Sequence, residues 1–355
     1  MSKSRSKSKS KSTTKRARRR AGKRAPSDRI GVGVVGCGGM GGALAGAVAA
    51  APAGRLVAFY DEVAENRKAL AEKHAGRDCA SLEELLGLDD VQAVVVAAPQ
   101  FAHEELGRAA ARAGKHVYVE KPMALSVASC DRMIAEARKA GVTLMVGQVL
   151  RYYEPFHSII RWTREGRFGR PVHACIQRLS AGWMRQTWRM RLDLCGGFLF
   201  EVSVHELDFM RCILGEPTEV YAVRQKQRAS DHEVEDIISV LARFDSGASG
   251  HYDAGTAWGK GKYWFNLCFE KASLVSEGAF DPKMLAALTT DAPPQEIKLE
   301  GFETDNAVHR QMGDWLQCLS EGRPVPTPGE EGRETVRLAE AAYRSADTGK
   351  IVRLP

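Results

Sequence analysis

The chain has 355 residues, enough for two domains that each bury a core. Its 44% hydrophobic and 27% charged residues fit a globular protein, and no apolar run approaches the ~18 residues of a membrane span, so no such span is expected. The formal net charge of +7 sits in one place: residues 1–27 hold 12 Lys and Arg and no acid, leaving 39 basic against 44 acidic residues elsewhere. A basic face on the folded body is therefore not the source of the charge.

Residues 1–28 read as a disordered basic tail. Ser alternates with Lys or Arg from Ser2 to Ser12, and Lys15-Arg16-Ala17-Arg18-Arg19-Arg20 follows, with nothing large and apolar to bury. Such a tail is either a solvated extension or a weak electrostatic contact for nucleic acid. No apolar stretch of a secretory signal follows the basic run, while an organellar transit role stays open. The eight cysteines (37, 79, 130, 175, 195, 212, 268 and 318) form no Cys-x-x-Cys pair, so neither a metal site nor a disulfide framework is expected, which fits a cytoplasmic location.

From Arg29 the pattern is βαβ, predicting a doubly wound parallel sheet over residues 29–150. Strands are predicted at Ile30–Val35, Arg55–Tyr60, Val91–Ala97, Lys115–Val119 and Thr143–Val146, with helices at Gly38–Ala51, Val63–His74, Ala102–Ala113 and Ser126–Ala140. Residues 151–355 change rhythm. After a helix at Glu154–Glu165, alternating runs at Val172–Ser180, Glu219–Gln227, Ile237–Phe244, Ser249–Thr256 and Tyr263–Ser276 predict a large, open, mainly antiparallel sheet in an α+β domain. One helix at Gly197–Leu214 interrupts them. Two amphipathic helices, Asn306–Glu321 and Glu330–Asp347, flank Pro324, Pro326 and Pro328.

Gly36-Cys37-Gly38-Gly39-Met40-Gly41 matches G-x-G-x-x-G after a strand and at the start of a helix. The first glycine permits the turn, the second lets the backbone approach a pyrophosphate, and the third brings helix close to strand. Asp61 lies 20 residues after Gly41 at the end of the second predicted strand, where its carboxylate accepts ribose hydroxyls and repels a 2′-phosphate. NAD is thus the expected cofactor, with NADP possible because Arg67 follows on the next helix. Asp61 is equally compatible with capping that helix.

Lys121, in Glu120-Lys121-Pro122, falls just past the carboxyl end of a predicted parallel strand, the edge where ligands bind, and Glu120 is placed to hold its ammonium. Farther on, Gly196-Gly197 precede Glu201, His205 and Asp208, whose i, i+4, i+7 spacing puts them on one face of an ideal helix. An imidazole beside a carboxylate can take a hydroxyl proton near neutral pH. A surface ion pair would show the same spacing, and metal ligation is disfavoured for want of further ligands.

Taken together, the Gly36–Gly41 loop, Ala98-Pro99 with His103, the Gly114–Pro122 segment and the Gly-Gly…His-x-x-Asp segment resemble the glucose-fructose oxidoreductase, inositol dehydrogenase and rhizopine catabolism (Gfo/Idh/MocA) family over residues 29–355. The resemblance implies a cofactor site of Gly36, Cys37, Gly38, Gly39, Met40, Gly41, Asp61, Ala98, Pro99, His103, Glu120 and Lys121. It makes Lys121, His205 and Glu201 catalytic, and it implies substrate contacts from Lys121, Trp188, Arg189, His205 and Asp208. The implied reaction moves a hydride between a nicotinamide and a secondary alcohol or ketone of a sugar, polyol or cyclitol. Alternatives are a glycosidase or lyase that retains NAD, and a non-catalytic dinucleotide-binding protein with a nucleic-acid-binding tail. A homodimer or homotetramer through the second domain's sheet is also implied. Two positions depart from the family pattern: Glu201 stands where Asp is usual, and Ser203 where Gly is usual. The Arg151-Tyr152-Tyr153-Glu154-Pro155 stretch has one residue more than the family's Arg-aromatic-x-Pro.

Overall fold

A computed structural model describes residues 29–182, 187–226, 232–276, 278, 284–288, 295–297 and 306–355; the basic tail lies outside these residues. The first part runs β1 (Ile30–Val35), α1 (Gly39–Ala50), β2 (Gly54–Tyr60), α2 (Ala64–His74), β3 (Arg77–Asp78), α3 (Leu82–Leu86), β4 (Ala93–Val96), α4 (His103–Arg112), β5 (His116–Val119), α5 (Val127–Ala140) and β6 (Leu144–Val146). These six strands are parallel in the order β3-β2-β1-β4-β5-β6. All four residues of β4 are sealed from solvent, as a strand covered on both faces requires. The strand order reverses between β1 and β4, so the carboxyl ends there open onto the crevice that binds ligands in this class of sheet.

The second part contains α6 (Phe156–Arg164), β7 (Pro171–Leu179), α7 (Leu192–Cys195), α8 (Val204–Leu214), β8 (Pro217–Gln225), β9 (Ile237–Phe244), β10 (Ser249–Gly255), β11 (Lys262–Phe269), β12 (Ala272–Ser276), β13 (Met284–Leu288), β14 (Gln295–Ile297), α9 (Ala307–Glu321), α10 (Gly329–Thr348) and β15 (Val352–Arg353). Its nine strands lie in the order β14-β13-β12-β11-β7-β10-β9-β8-β15, antiparallel except for the β7–β10 pair. One face carries the core residues Ala174, Ile176, Tyr252, Ala254, Phe265 and Leu267, and α8 packs on it. Among the described residues no helix is long and apolar enough to cross a membrane.

Two expectations are corrected in detail. The run Tyr263–Ser276 is two strands, because Glu270 turns the chain by accepting the Arg170 N–H at 2.8 Å and its guanidinium as well. The single helix expected at Gly197–Leu214 is a π-helical turn, Leu199–Ser203, followed by α8. In addition, α9 places Met312, Trp315 and Leu316 in one cluster with Val32 and Val34 of β1 and Leu44 and Val48 of α1. The two halves therefore share a core.

Candidate active site

The Gly36–Gly41 loop is built from backbone. Gly36 adopts φ +88, and a Cβ there would collide with the Ala97–Ala98 peptide. A Cβ on Gly41 would overlap the Gly36 carbonyl, which is why helix α1 can start directly on β1. Gly38 and Gly39, by contrast, face open space, and no side chain caps the first turn of α1. Those amides are left for an anion, the arrangement a dinucleotide pyrophosphate needs. Asp61 closes the other side: one carboxylate oxygen accepts the Cys37 N–H at 2.6 Å and the other the Val63 N–H at 2.8 Å. It thus fixes the loop and the approach to α2 at once, and each oxygen keeps a further lone pair for ribose hydroxyls. Burial pushes the Cys37 thiol up to about 12, with the Asp61 charge adding to it. Arg67 is held by Asp78 at 2.7 Å and by the Asp61 carbonyl at 3.3 Å, so it is engaged rather than waiting for a phosphate. The residues fit NAD.

Both ring nitrogens of His103 meet backbone carbonyls. Its ring is 1% exposed, with Nδ1 2.8 Å from the Pro122 carbonyl and Nε2 2.8 Å from the Ala98 carbonyl. It ties the turn after β5 to the loop after β4. The Glu120 carboxylate accepts the Lys121 backbone N–H at 3.1 Å and, more loosely, the Tyr118 hydroxyl at 3.4 Å, and acts on the ammonium through its charge. Burial holds the Glu120 carboxyl above the usual range.

Lys121 is half-buried and reaches from the first domain to the second, donating from Nζ to the Glu201 carbonyl oxygen at 2.8 Å. Burial lowers its ammonium from the ordinary lysine value, and the Glu201 and Glu120 charges oppose that. His205, on α8, is pushed well below the usual imidazole range by burial first, then by the Lys121 and Arg178 charges. Its Nδ1 is buried without a hydrogen-bond partner. The imidazole is therefore neutral near pH 7, the form able to accept a proton.

The shared face expected for Glu201, His205 and Asp208 does not form. The π turn carries five residues per bonded loop instead of four, so Glu201 leaves the helical register and its Oε1 accepts Arg189 Nε at 2.5 Å. Asp208 is wholly buried, gripped by both arms of Arg151 at 2.7 Å and by the Thr335 hydroxyl at 3.1 Å. Neither carboxylate meets His205. Arg189 lies 4.1 Å over the Trp188 ring, and Trp188 meets the exposed Phe101 edge-on at 6.3 Å, so this indole spans the two domains.

Four further polar residues line the inner sheet face beside His205. Arg178 on β7 donates to the buried Glu206 at 2.6 Å and lies 5.0 Å over the Tyr263 ring, its direct partner across β11. The Tyr263 hydroxyl donates to Glu206 at 2.6 Å, and the Tyr252 hydroxyl donates to Ser203 at 2.7 Å. Ser203, the departure from glycine, thereby gains a partner. The signal was present in the alternation: Arg178 follows Ala174 and Ile176 in the buried register of its strand, where a charge needs a reason.

A strand-anchored glycine loop with a ribose-directed carboxylate, facing a lysine and a neutral histidine, defines an NAD-binding oxidoreductase. Residues 30–148 match the model of the oxidoreductase family with an NAD-binding Rossmann fold, and residues 156–275 match the Gfo/Idh/MocA C-terminal domain. The chain belongs to the Gfo/Idh/MocA family. A 1,5-anhydro-D-fructose reductase of Ensifer adhaerens is 29% identical, over 86% of this chain and 92% of that one. A myo-inositol 2-dehydrogenase of Thermotoga maritima is 26% identical, over 83% and 88%. The crystal structure of an aldose-aldose oxidoreductase from Caulobacter crescentus, complexed with glycerol, superposes with a TM-score of 0.84 at 28% identity, covering 92% of this chain and all of that one.

Proposed function

We propose that the protein transfers a hydride between NAD and a secondary alcohol or ketone of a sugar, polyol or cyclitol. The observation that carries this reading is the joining of Lys121, from the turn after β5, with a neutral His205 on α8, at the edge of the dinucleotide crevice. His205 takes up the hydroxyl proton and Lys121 stabilises the oxygen as negative charge develops. The bound nicotinamide supplies the hydride acceptor. Glu201 acts by orienting Arg189 and, through its carbonyl, Lys121. The sugar and inositol enzymes among the relatives support the substrate class.

The second domain's outer sheet face supports self-association. Tyr221 and Val223 on β8 and Leu241 on β9 are exposed there, with Tyr221 opposite Leu241. A cytoplasmic protein, dimeric or tetrameric through this face, is the accompanying reading. The function is tested by mixing the protein with NAD and a panel of sugars and inositols and following NADH absorbance. Turnover of a hit by Lys121→Met at the wild-type rate would remove Lys121 from the mechanism.

A further inference from the structure

We infer that Asp78 is a cofactor-specificity residue: by holding Arg67 and adding a second negative charge at the ribose end of the crevice, it makes the site refuse NADP. This rests on the NAD part of the reading above and on no assumption about the substrate. β3 is the edge strand of the parallel sheet, and Asp78, at its carboxyl end, pairs with Phe59 of β2, two residues before Asp61. Asp61 and Asp78 therefore end neighbouring strands on the edge where ligands bind. Arg67, near the start of α2, bridges them: Nε donates to Asp78 Oδ1 at 2.7 Å and Nη1 to the Asp61 carbonyl oxygen at 3.3 Å. All three charges reach the glycine loop, where Asp61 and Asp78 push the Cys37 thiol up and Arg67 pulls it down.

NADP differs from NAD by a phosphate in place of one ribose hydroxyl, and near neutral pH a phosphate monoester carries about two negative charges. That group would arrive beside the carboxylate that accepts ribose hydroxyls, with a second carboxylate on the next strand. Arginine is the side chain best suited to bind it, through two parallel N–H donors. Here the fork is committed, because its Nε arm ends on the Asp78 carboxylate and the Arg67 side chain is only 14% exposed. Asp78 itself is exposed, and ion pairs of this kind add little to stability. The consequence of the pair lies in what it withholds from a ligand. Loss of Asp78 frees Nε and removes one of the two repelling charges, and both changes favour the phosphate. NAD, with a neutral hydroxyl in that place, feels little of either.

The test titrates the full chain with NADH and with NADPH, following the fluorescence of the reduced nicotinamide, in wild type, Asp78→Ala and Asp78→Ala/Arg67→Met. Wild type is expected to bind NADH at least ~30-fold more tightly than NADPH. Asp78→Ala is expected to narrow that ratio about tenfold by lowering the Kd for NADPH, with the Kd for NADH held within about twofold. Adding Arg67→Met should restore most of the gap. Asp78→Asn keeps the shape and a neutral acceptor for Arg67, and should follow Asp78→Ala at a smaller size. Equal affinity for the two nucleotides in wild type overturns the inference while leaving hydride transfer standing, and this comparison does not depend on a variant folding. Both Kd values rising alike in Asp78→Ala, as loss of a merely structural pair would give, overturns it as well, and so does a narrowing that survives Arg67→Met. Failure of wild type to bind either nucleotide overturns the NAD reading itself.

Discussion

The two sides of the cleft are built from different materials. On the nucleotide side the groups that matter are backbone: glycine amides, the Gly36 carbonyl that touches Gly41, and a Cys37 N–H held by Asp61. On the substrate side they are side chains held by other side chains: Arg178 by Glu206, Arg189 by Glu201, and Arg151 by Asp208. A backbone-built site tolerates little change in sequence, because only glycine satisfies its sterics. A site built from ion pairs can be re-tuned by exchanging partners, which is how one fold accommodates many substrates.

The contrast can be broken most forcefully at Asp208. Asp208→Ala takes both of its hydrogen bonds from the buried Arg151 and leaves it only Glu331 at 2.8 Å, and a stability loss of about 3 kcal/mol is expected by urea denaturation; a loss under 1 kcal/mol would mean the pair is not structural. Next is Gly41→Ala, whose Cβ must displace the Gly36 carbonyl. It should cost about 1–3 kcal/mol and abolish NAD binding measured by NADH fluorescence, whereas Gly39→Ala, which meets open space, should fold normally. Asp61→Ala removes the ribose acceptor and the Cys37 tether together. The Kd for NAD is expected to rise on the order of tenfold and to rise less for NADP, both read by titration calorimetry.

The smallest effect is electrostatic. Because burial and the Lys121 and Arg178 charges depress His205, the acid limb of kcat/KM should fall below the ordinary imidazole range. Arg178→Gln removes one of those charges and leaves Glu206 negative, and both changes favour the imidazolium. The limb should therefore move to higher pH, by less than about one unit. A shift downward would show that Arg178 does not act on His205.

Legibility in the sequence followed the same division. The glycine loop, Asp61 and Lys121 stand at the positions their motifs indicate, because a strand–turn–helix geometry follows from local periodicity and glycine placement. Arg178, Glu206 and Tyr263 come together only through the pairing of β7 with β11 and the docking of α8, which sequence spacing does not encode. Asp208 shares α8 with His205 but turns to Arg151, a partner that spacing does not reveal. The spacing of Glu201 from His205 presumes an ideal helix, and the π turn in front of α8 changes its phase. Helix α9 is a similar case: its amphipathic face was evident, but not that Trp315 would fill the first domain's core.

The Lys121–Glu201 hydrogen bond makes one atom answerable to both domains. Gln100, after β4, adds a second bridge by donating to the Cys195 carbonyl at 2.8 Å. Whatever orders the loop edge of the first sheet thus also orders the turn that presents His205. Occupancy of the nucleotide crevice and of the substrate cleft are then thermodynamically linked: the factor by which nucleotide tightens substrate binding must equal the factor by which substrate tightens nucleotide binding.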